Sequence, residues 1–557
     1  MSTTIKLIMG NVYTKVESAD GVAINELTKD MSRRIPGFKH SNQFKNGLWD
    51  GSVKFLDKGY VLTGLTEVLI HYIDKHRYTY ELVDNRIDPM TEVHPVNLKG
   101  GRGPREYQWD AIEAIITHKR GAVAASTNSG KTLIACGAIQ ATGVKTLFLT
   151  HRDELFTQTD ESFEKDLGHP VGNIWGDNMD LDKHVTIAMV PTLARRLEHP
   201  TQSIKKLTDK LGTLMVKKSR MHKIMEAVEI EKAEKSILTT QKQLDNKKTT
   251  FNKDKMDWET LAKYLQSIEM VIIDESHHCI ATSYEDILSL CEKAYYRIGL
   301  SGTPFEYEDE TKTLKSIGLL GPTIFSIDNN TLIDKGVSST PECEILYVNK
   351  PIVADDYNLA YKKGIILNPE RNKLILGKCK EYVEKKLPTL IVINYEEHGE
   401  HLLNFLIKGG ISPDDVKFIS GNTKNRKHRA EYFQKFKAGK LPILIASLIV
   451  QEGVSMDSIG ALIFALGGKS DIRVLQVIGR GLRQNKYGNI VKIIDFFDMT
   501  NKYLVDHSFS RWDTYQRGGF EKYFTWSGEL PFDHYDPRMM TEVMMKYKAN
   551  FESLKNL

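Results

Sequence analysis

In the stretch AASTNSGKTLIA, Ala124 to Ala135, the triplet Gly130-Lys131-Thr132 stands between an apolar, β-prone lead-in and a helix-like run. A loop of this kind can wrap backbone N–H groups around phosphate oxygens, with a helix N-terminus behind them. Thr127, Asn128, Ser129 and Gly130 would form the cradle. Lys131 would reach the β- and γ-phosphates of a nucleotide, and the Thr132 hydroxyl would hold Mg2+. The first glycine usual in such loops is replaced by Ala125. Taken alone, the segment also reads as an ordinary strand, turn and helix.

A second group carries complementary chemistry. Val271, Ile272 and Ile273 form a buried-type strand that ends in Asp274-Glu275. Asp274 would hold the hydration shell of Mg2+, and Glu275 would orient or deprotonate an attacking water. His277 comes soon after and reads as a relay to a neighbouring domain; a His-His-Cys run lacks the ligand spacing of a zinc site. After the next strand, Ser301, Gly302 and Thr303 could sense phosphate, though a plain turn is the simpler alternative. Far downstream, Gln476, Arg480 and Arg483 fall on one helical face. Two guanidiniums there could clamp a γ-phosphate as arginine fingers, or form a salt-bridging surface. Arg105, Tyr107 and Gln108 start a helix upstream of the loop. They could read an adenine, or simply cap and pack that helix.

These residues must be positioned by strands that end together. Strand-then-helix alternation recurs at KTLFLTHRDELF, VTIAMVPTL, TLIVINYEEHGEHLL, DVKFISGN and LPILIASLIVQEGVSM. Such alternation predicts parallel sheets covered by helices on both faces, an α/β fold. Thr150, Arg152 and Thr192 fall just past strand ends, where ligands of open α/β sheets bind. Residues 1–97 read as a small α/β module, with a hairpin or meander signalled by Asn46-Gly47 and Asp50-Gly51 and a helix at TEVLIHYIDKH. Lys39, Lys45, Lys54 and Lys58, with Phe44 and Trp49, could form a basic, aromatic face for nucleic acid, or a solvated face over a core tryptophan. Gly100, Gly101, Gly103 and Pro104 mark a linker.

Residues 200–260 break the pattern. They are lysine-rich and free of proline after Pro200, with Leu207, Leu211, Leu214, Met221, Met225 and Val228 on one stripe and Ile237, Leu244 and Phe251 on a second. Two antiparallel helices, a coiled-coil-like finger inserted in the first α/β domain, would bury both stripes. Residues 98–340 and 341–500 are expected as the two α/β domains, with KIIDFFDM as a last strand and residues 501–557 as a tail of helical pieces.

The chain has 557 residues, 41% hydrophobic and 27% charged, with a net charge of +4. That is ordinary globular composition, of a length for about three or four domains. The small positive excess permits a nucleic-acid partner without demanding one. Cys136, Cys279, Cys291, Cys343 and Cys379 are scattered with no CxxC pair, which argues against a disulfide framework or zinc site and for a reducing compartment. No secretory leader and no membrane span are expected.

In their order along the chain the motifs resemble those of superfamily 2 helicases. ASTNSGKT looks like motif I, THRDELFTQ like Ia, MVPTL like Ib, DESH like motif II and SGTP like motif III. IVIN is similar to motif IV, ASLIVQEGVSM to motif V and QVIGRGLR to motif VI, while REYQ resembles the adenine-reading Q-like motif. FKNGLWDGSVKFLD…LTGL further resembles a segment of the phage UvsW-type helicases. The resemblance implies two tandem RecA-like domains that close on ATP and Mg2+. Site residues carried over are Lys131, Asp274, Glu275, His277, Gln476, Arg480 and Arg483 for catalysis, and Arg105, Gln108, the loop residues and Gly453 for the nucleotide. Strand contacts are expected at Arg152, Thr192, Gly421 and Ser447, with Trp49 and Lys54 from the amino-terminal module. It implies remodelling of branched DNA, extending to RNA–DNA hybrids, by a monomer in the cytoplasm of an infected bacterial host. A double-stranded-DNA translocase subunit and an RNA helicase stand as alternatives. The lysine-rich finger departs from the family pattern.

Overall fold

The computed structural model describes residues 4–35, 37–90, 92–101, 103–126, 128–151, 153–221, 227–305, 309–348, 350–420, 426–447, 459–468, 482 and 484–527. Contacts divide the chain into two units: Met1–Ala124 with Lys131–Ser326, and a second that starts at Ile327 and includes the short loop Ala125–Gly130.

The first unit opens with a five-stranded sheet in the order Leu56–Asp57, Tyr60–Leu62, Tyr13–Glu17, Thr4–Met9, Thr79–Asp84. Alternation in Thr4–Met9 turns Ile5 and Leu7 inward, where helices Gly21–Asp30 and Thr66–Lys75 supply Leu27, Leu69 and Ile73. Asp20 caps the first helix by accepting from the Val22 and Ala23 N–H groups. The hairpin expected at Asn46-Gly47 closes instead at Lys58-Gly59. Both residues there have positive φ (49° and 79°), as a two-residue hairpin turn of this hand requires. Residues Asn42–Lys45 form a helical turn, and Ser52–Lys54 pairs with Ser32–Arg34.

This module is fused to the neighbouring α/β domain. Leu314, from helix Glu310–Leu320, completes its core. Gly64 lies so close to the same helix that a Cβ would sit 1.9 Å from the Ile317 carbonyl oxygen, so only glycine fits. Arg33 Nε meets Glu310 Oε1 at 2.6 Å, and Asn11 donates to the Glu292 carbonyl.

The main sheet of the first unit has eight strands in the order Asn178–Met179, Gly172–Trp175, Val185–Met189, Thr146–Thr150, Met270–Asp274, Tyr296–Ser301, Arg120–Ala125, Thr323–Ile327. The central strands pair in parallel and are almost wholly buried, the burial that an all-apolar run predicts. Between its strands the lysine-rich insertion forms an antiparallel pair, Pro200–Met221 against Ala227–Thr249. Leu211 and Leu244 are buried as expected, and Lys218 meets Glu234 at 2.7 Å. A third helix, Phe251–Gln266, departs from the two-helix expectation: Phe251 starts it and does not end the second stripe. Leu261, Tyr264 and Leu265 carry it into the domain core.

The second unit holds a seven-stranded sheet in the order Val416–Ile419, Ile443–Ser447, Thr389–Ile393, Ala461–Phe464, Ile490–Asp498, Thr340–Val348, Phe524–Ser527. Hydrophobic clusters cover both faces. The sheet runs past residue 500, where the sequence suggests a tail. Helix Lys502–Arg517 packs Trp512 and Tyr515 into the core, and Phe524–Ser527 adds a parallel strand beside Cys343–Leu346. No described helix is long and apolar enough to cross a membrane.

Candidate functional site

Register aligns the strand ends of the first unit. Ala124 pairs with Ser301, Leu300 with both Val123 and Asp274, Ile273 with Leu149, and Thr150 with Met189. The loop after each strand therefore leaves from one sheet edge, the carboxyl end at which parallel sheets bind ligands.

Ala125 ends its strand, buried and with a φ that is not positive, so this position makes no demand for glycine. Left-handed backbone comes later, at Asn128 (φ 75°) and Gly130 (φ 80°). Asparagine tolerates that conformation and glycine favours it. The Ser129 N–H between them donates to the Ser126 carbonyl at 3.2 Å, closing the turn on itself. Lys131, half-buried, begins helix Lys131–Thr142, most of which is buried, and Thr132 comes next. A Cβ at Gly137 would lie 2.3 Å from Ile112 Cδ1, so helix Glu106–His118 packs directly against it. Gln108 is buried in that helix, and its Oε1 accepts the Arg105 N–H at 2.8 Å. Arg105 Nη1 reaches the Tyr107 hydroxyl at 3.4 Å. These contacts build the helix start, the plainer of the two readings of REYQ.

The carboxylates stand on strained backbone. Glu275 has φ 49° and ψ 55°. For a residue with a long side chain this costs on the order of 1–3 kcal/mol and persists only where neighbours enforce it. The Glu275 N–H donates to Asp274 Oδ1 at 3.1 Å, and its carbonyl accepts from the His278 N–H at 3.0 Å. Ser276 is buried against Gly299, where a Cβ would come within 2.8 Å of Ser276 Cβ. His277 Nδ1 lies 3.5 Å from Glu275 Oε2 and 3.1 Å from Ser301 Oγ, and Ser301 Oγ accepts the Thr303 N–H at 3.1 Å. His277 thus lies between Glu275 and the Ser301–Thr303 turn of its own sheet. Burial pushes the Cys279 thiol up to about 11, and its Sγ reaches Ser316 Oγ at 3.6 Å. It is a core thiol and offers no thiolate to a metal.

Within the first unit, Lys131 and Thr132 at a helix start and Asp274 and Glu275 after their strand offer a cation and oxygen donors. Thr132 and Asp274 would supply the hard oxygens that Mg2+ prefers. Such an ion would supply positive charge against phosphate oxygens. Glu275, beside His277, would be the acceptor for a water proton.

Two families of known proteins match. The family described as "Type III restriction enzyme, res subunit" covers residues 102–306, and "Helicase conserved C-terminal domain" covers residues 374–485. The chain belongs to the superfamily 2 helicases. Among relatives of this superfamily it is 28% identical to putative helicase 22 of Sulfolobus islandicus filamentous virus over 45% of this chain and 47% of that one. It is 27% identical to the putative ATP-dependent helicase IRC3 of Saccharomyces cerevisiae, over 72% and 52%. With the ATP-dependent DNA helicase uvsW of phage T4 the identity is 24%, over 43% and 49%. The chain spans about half the length of the curated relatives it matches. The crystal structure of T4 UvsW aligns with 95% of this chain and 99% of that one, at 18% identity and a TM-score of 0.42.

Helicase residues expected from sequence fall into three groups. Lys131, Thr132, Asp274, Glu275 and His277 come to the one sheet edge. Ser447 ends strand Ile443–Ser447 and Thr192 stands in the first turn of helix Val190–Leu197, and both are buried. Thr127, Arg152, Gly421, Gly453, Gln476, Arg480 and Arg483 lie outside the described residues. In the amino-terminal module Trp49 is half-buried and donates its Nε1–H to the Ser52 carbonyl, while Lys54 is exposed. Lys54 lines a cleft of about 590 Å3 with Lys58, Tyr13, Tyr60 and, from the helicase domain, Lys315 and Glu285. Tyr13 and Tyr60 pair edge-on at 6.4 Å and stay largely exposed, a feature that sequence reading missed. Their outward turn could have been read from the alternation of YTKVE around buried Thr14 and Val16.

Proposed function

We propose that the protein is an ATP-dependent DNA helicase that remodels branched DNA in recombination, repair and replication: fork regression, Holliday-junction branch migration, and unwinding of R-loops and D-loops. The observation that carries the ATP-driven part is the Glu275–His277–Ser301 bridge, set level with the Lys131 helix on one sheet edge. In this reading Lys131 binds the terminal phosphates and Glu275 takes the proton of the attacking water. Ser301 and Thr303 register the change through His277, and Arg480 and Arg483 act as arginine fingers. Arg105 and Gln108 meet the adenine.

A DNA partner is supported by the name of the T4 relative and by the amino-terminal cleft, where lysines and exposed tyrosines can meet phosphates and bases. Further strand contacts are assigned to Arg152, Thr192, Gly421 and Ser447. The viral relatives support action in the cytoplasm of an infected host. A second reading, a double-stranded-DNA translocase that moves without separating strands, is favoured by the restriction-subunit family at residues 102–306.

Strand displacement with ATP on a fork, a four-way junction, an R-loop and an RNA duplex separates the readings. Branched DNA should be resolved and the RNA duplex left intact. Triplex displacement without strand separation would favour the translocase, and activity on the RNA duplex alone would favour an RNA helicase. Replacing Lys54 and Lys58 by Gln should lower the salt slope of DNA binding by about two, since each phosphate contact contributes about 0.9. An unchanged slope would remove the cleft from the contact surface.

A further inference from the structure

Two histidines stand beside the Glu275–His277–Ser301 bridge. The His278 ring lies 4.1 Å from the His277 ring, and the His151 ring lies 4.2 Å from His278, tilted by 63°. His151 comes directly after Thr150, the last residue of strand Thr146–Thr150, and precedes Arg152. His278 closes the short turn that starts at Glu275, through its N–H to the Glu275 carbonyl, while its own carbonyl accepts the Ala281 N–H. Three imidazoles therefore run from the hydrolytic carboxylate to the strand end at which nucleic acid is expected.

Packing alone would favour leucine or phenylalanine here. An imidazole brings two ring nitrogens that need partners, whereas an apolar ring brings none. Departures from local packing preference concentrate at functional positions. The contacts are also suited to transmission, because packed rings cannot interpenetrate. A displacement after Thr150 must move His278, and with it the turn that holds Glu275 in its left-handed backbone.

We propose that His278 and His151 are positioning residues that couple nucleic-acid contact after strand Thr146–Thr150 to the setting of Glu275 and His277. This coupling rests on the reading of the protein as an ATP-driven motor. The test is ATP turnover with and without saturating single-stranded or forked DNA, alongside DNA binding and thermal melting. His278→Ala and His151→Ala should each keep basal turnover within about twofold and DNA affinity unchanged. Each should lose about tenfold of the DNA-stimulated rate, the scale of a coupling of 1–2 kcal/mol. The double variant should lose no more than either single one, as for members of one pathway. His278→Phe keeps a ring and should recover most of the stimulation. If His278→Ala is unstable, His278→Phe and His151→Ala carry the test. Stimulation kept in His151→Ala and His278→Ala would overturn the inference alone, as would basal and stimulated rates falling by one factor. A wild-type protein whose turnover no nucleic acid raises would overturn the motor reading and the coupling with it.

Discussion

Two clusters of charged side chains sit at strand ends in this protein, one in each unit, and they are built in opposite ways. In the second unit Arg371 Nε meets Asp498 at 3.0 Å, donates to the Ala465 and Leu466 carbonyls and lies over the Phe496 ring. Arg511 meets Asp495 at 3.1 Å and the Phe496 carbonyl, and the Tyr515 hydroxyl donates to Asp495. All five residues are buried, and they tie helices Pro369–Glu384 and Lys502–Arg517 to strand Ile490–Asp498. In the first unit Lys131, Asp274, Glu275 and His277 are half-buried, Glu275 is strained, and the hydrogen bonds run sideways along the sheet edge. The same residue types do architecture where they are buried and paired with one another. They are available for chemistry where they stay open to the edge.

The strongest way to break this contrast is to remove one charge from each cluster. Lys131→Ala should abolish ATP turnover. Glu275→Gln should lower it about 10³-fold or more, within the range of general-base losses, with nucleotide binding kept. Neither should move the melting temperature by more than a few degrees. Near wild-type turnover in either variant would end the assignment of this edge as the working site.

Arg511→Met asks the converse. Removing one partner from a buried ion pair leaves an uncompensated charge and typically costs about 3–5 kcal/mol. Denaturant unfolding should show a loss of that size, while turnover at low temperature stays near normal. A loss below about 1 kcal/mol would mean that the buried network is not what fixes helix Lys502–Arg517.

A weaker effect is expected from acid. His398 is wholly buried, and neither ring nitrogen has a hydrogen-bond partner among the described residues. Burial, with Arg371 and His401 adding to it, pushes its ring down to about 3 from an ordinary 6.5. Between those values the unfolded chain binds a proton that the folded one refuses, so stability falls as pH falls, by up to about 1.4 kcal/mol per unit. At pH 5 this amounts to about 2 kcal/mol relative to neutral pH. His398→Leu should flatten the difference in unfolding midpoint between pH 7.5 and pH 5. An equal difference in both proteins would show that other groups cause it.

Range decides how much of this is legible in the sequence. Lys131, Asp274, Glu275 and Ser301 each lie within a few residues of an apolar run, so the run fixes where they emerge, and sequence alone brings them to one edge. Gly64 against Ile317, Leu314 completing the amino-terminal core, and the strand Phe524–Ser527 beside Cys343 are contacts between segments about 180 to 310 residues apart. No periodicity announces such shape matches. The turn at Lys58-Gly59 escapes sequence reading for another reason: Asn46-Gly47 is the stronger local signal, but the residues directly before it, Asn42–Lys45, form a helical turn and not a strand.

Gly299→Ala probes the working cluster without touching any of its charges. Gly299 sits in strand Tyr296–Ser301, two residues before Ser301, and an added Cβ would lie 2.7 Å from Leu320 Cδ1 and 2.8 Å from both Ser276 Cβ and Oγ. Leu320 can give by rotating, but Ser276 is buried in the turn directly after Glu275, so part of the strain must pass to that backbone. Overpacking of this size costs about 1 kcal/mol or somewhat more in stability. A shift of a few tenths of an ångström at Glu275 should lower turnover about threefold to tenfold, short of the hundredfold that a full ångström can cost. Because Lys131 and the phosphate cradle are untouched, nucleotide affinity should hold while turnover falls. Lost stability with full turnover would show that the Ser276 packing is architecture after all, and that the strained setting of Glu275 is held by the Asp274 and His277 contacts alone.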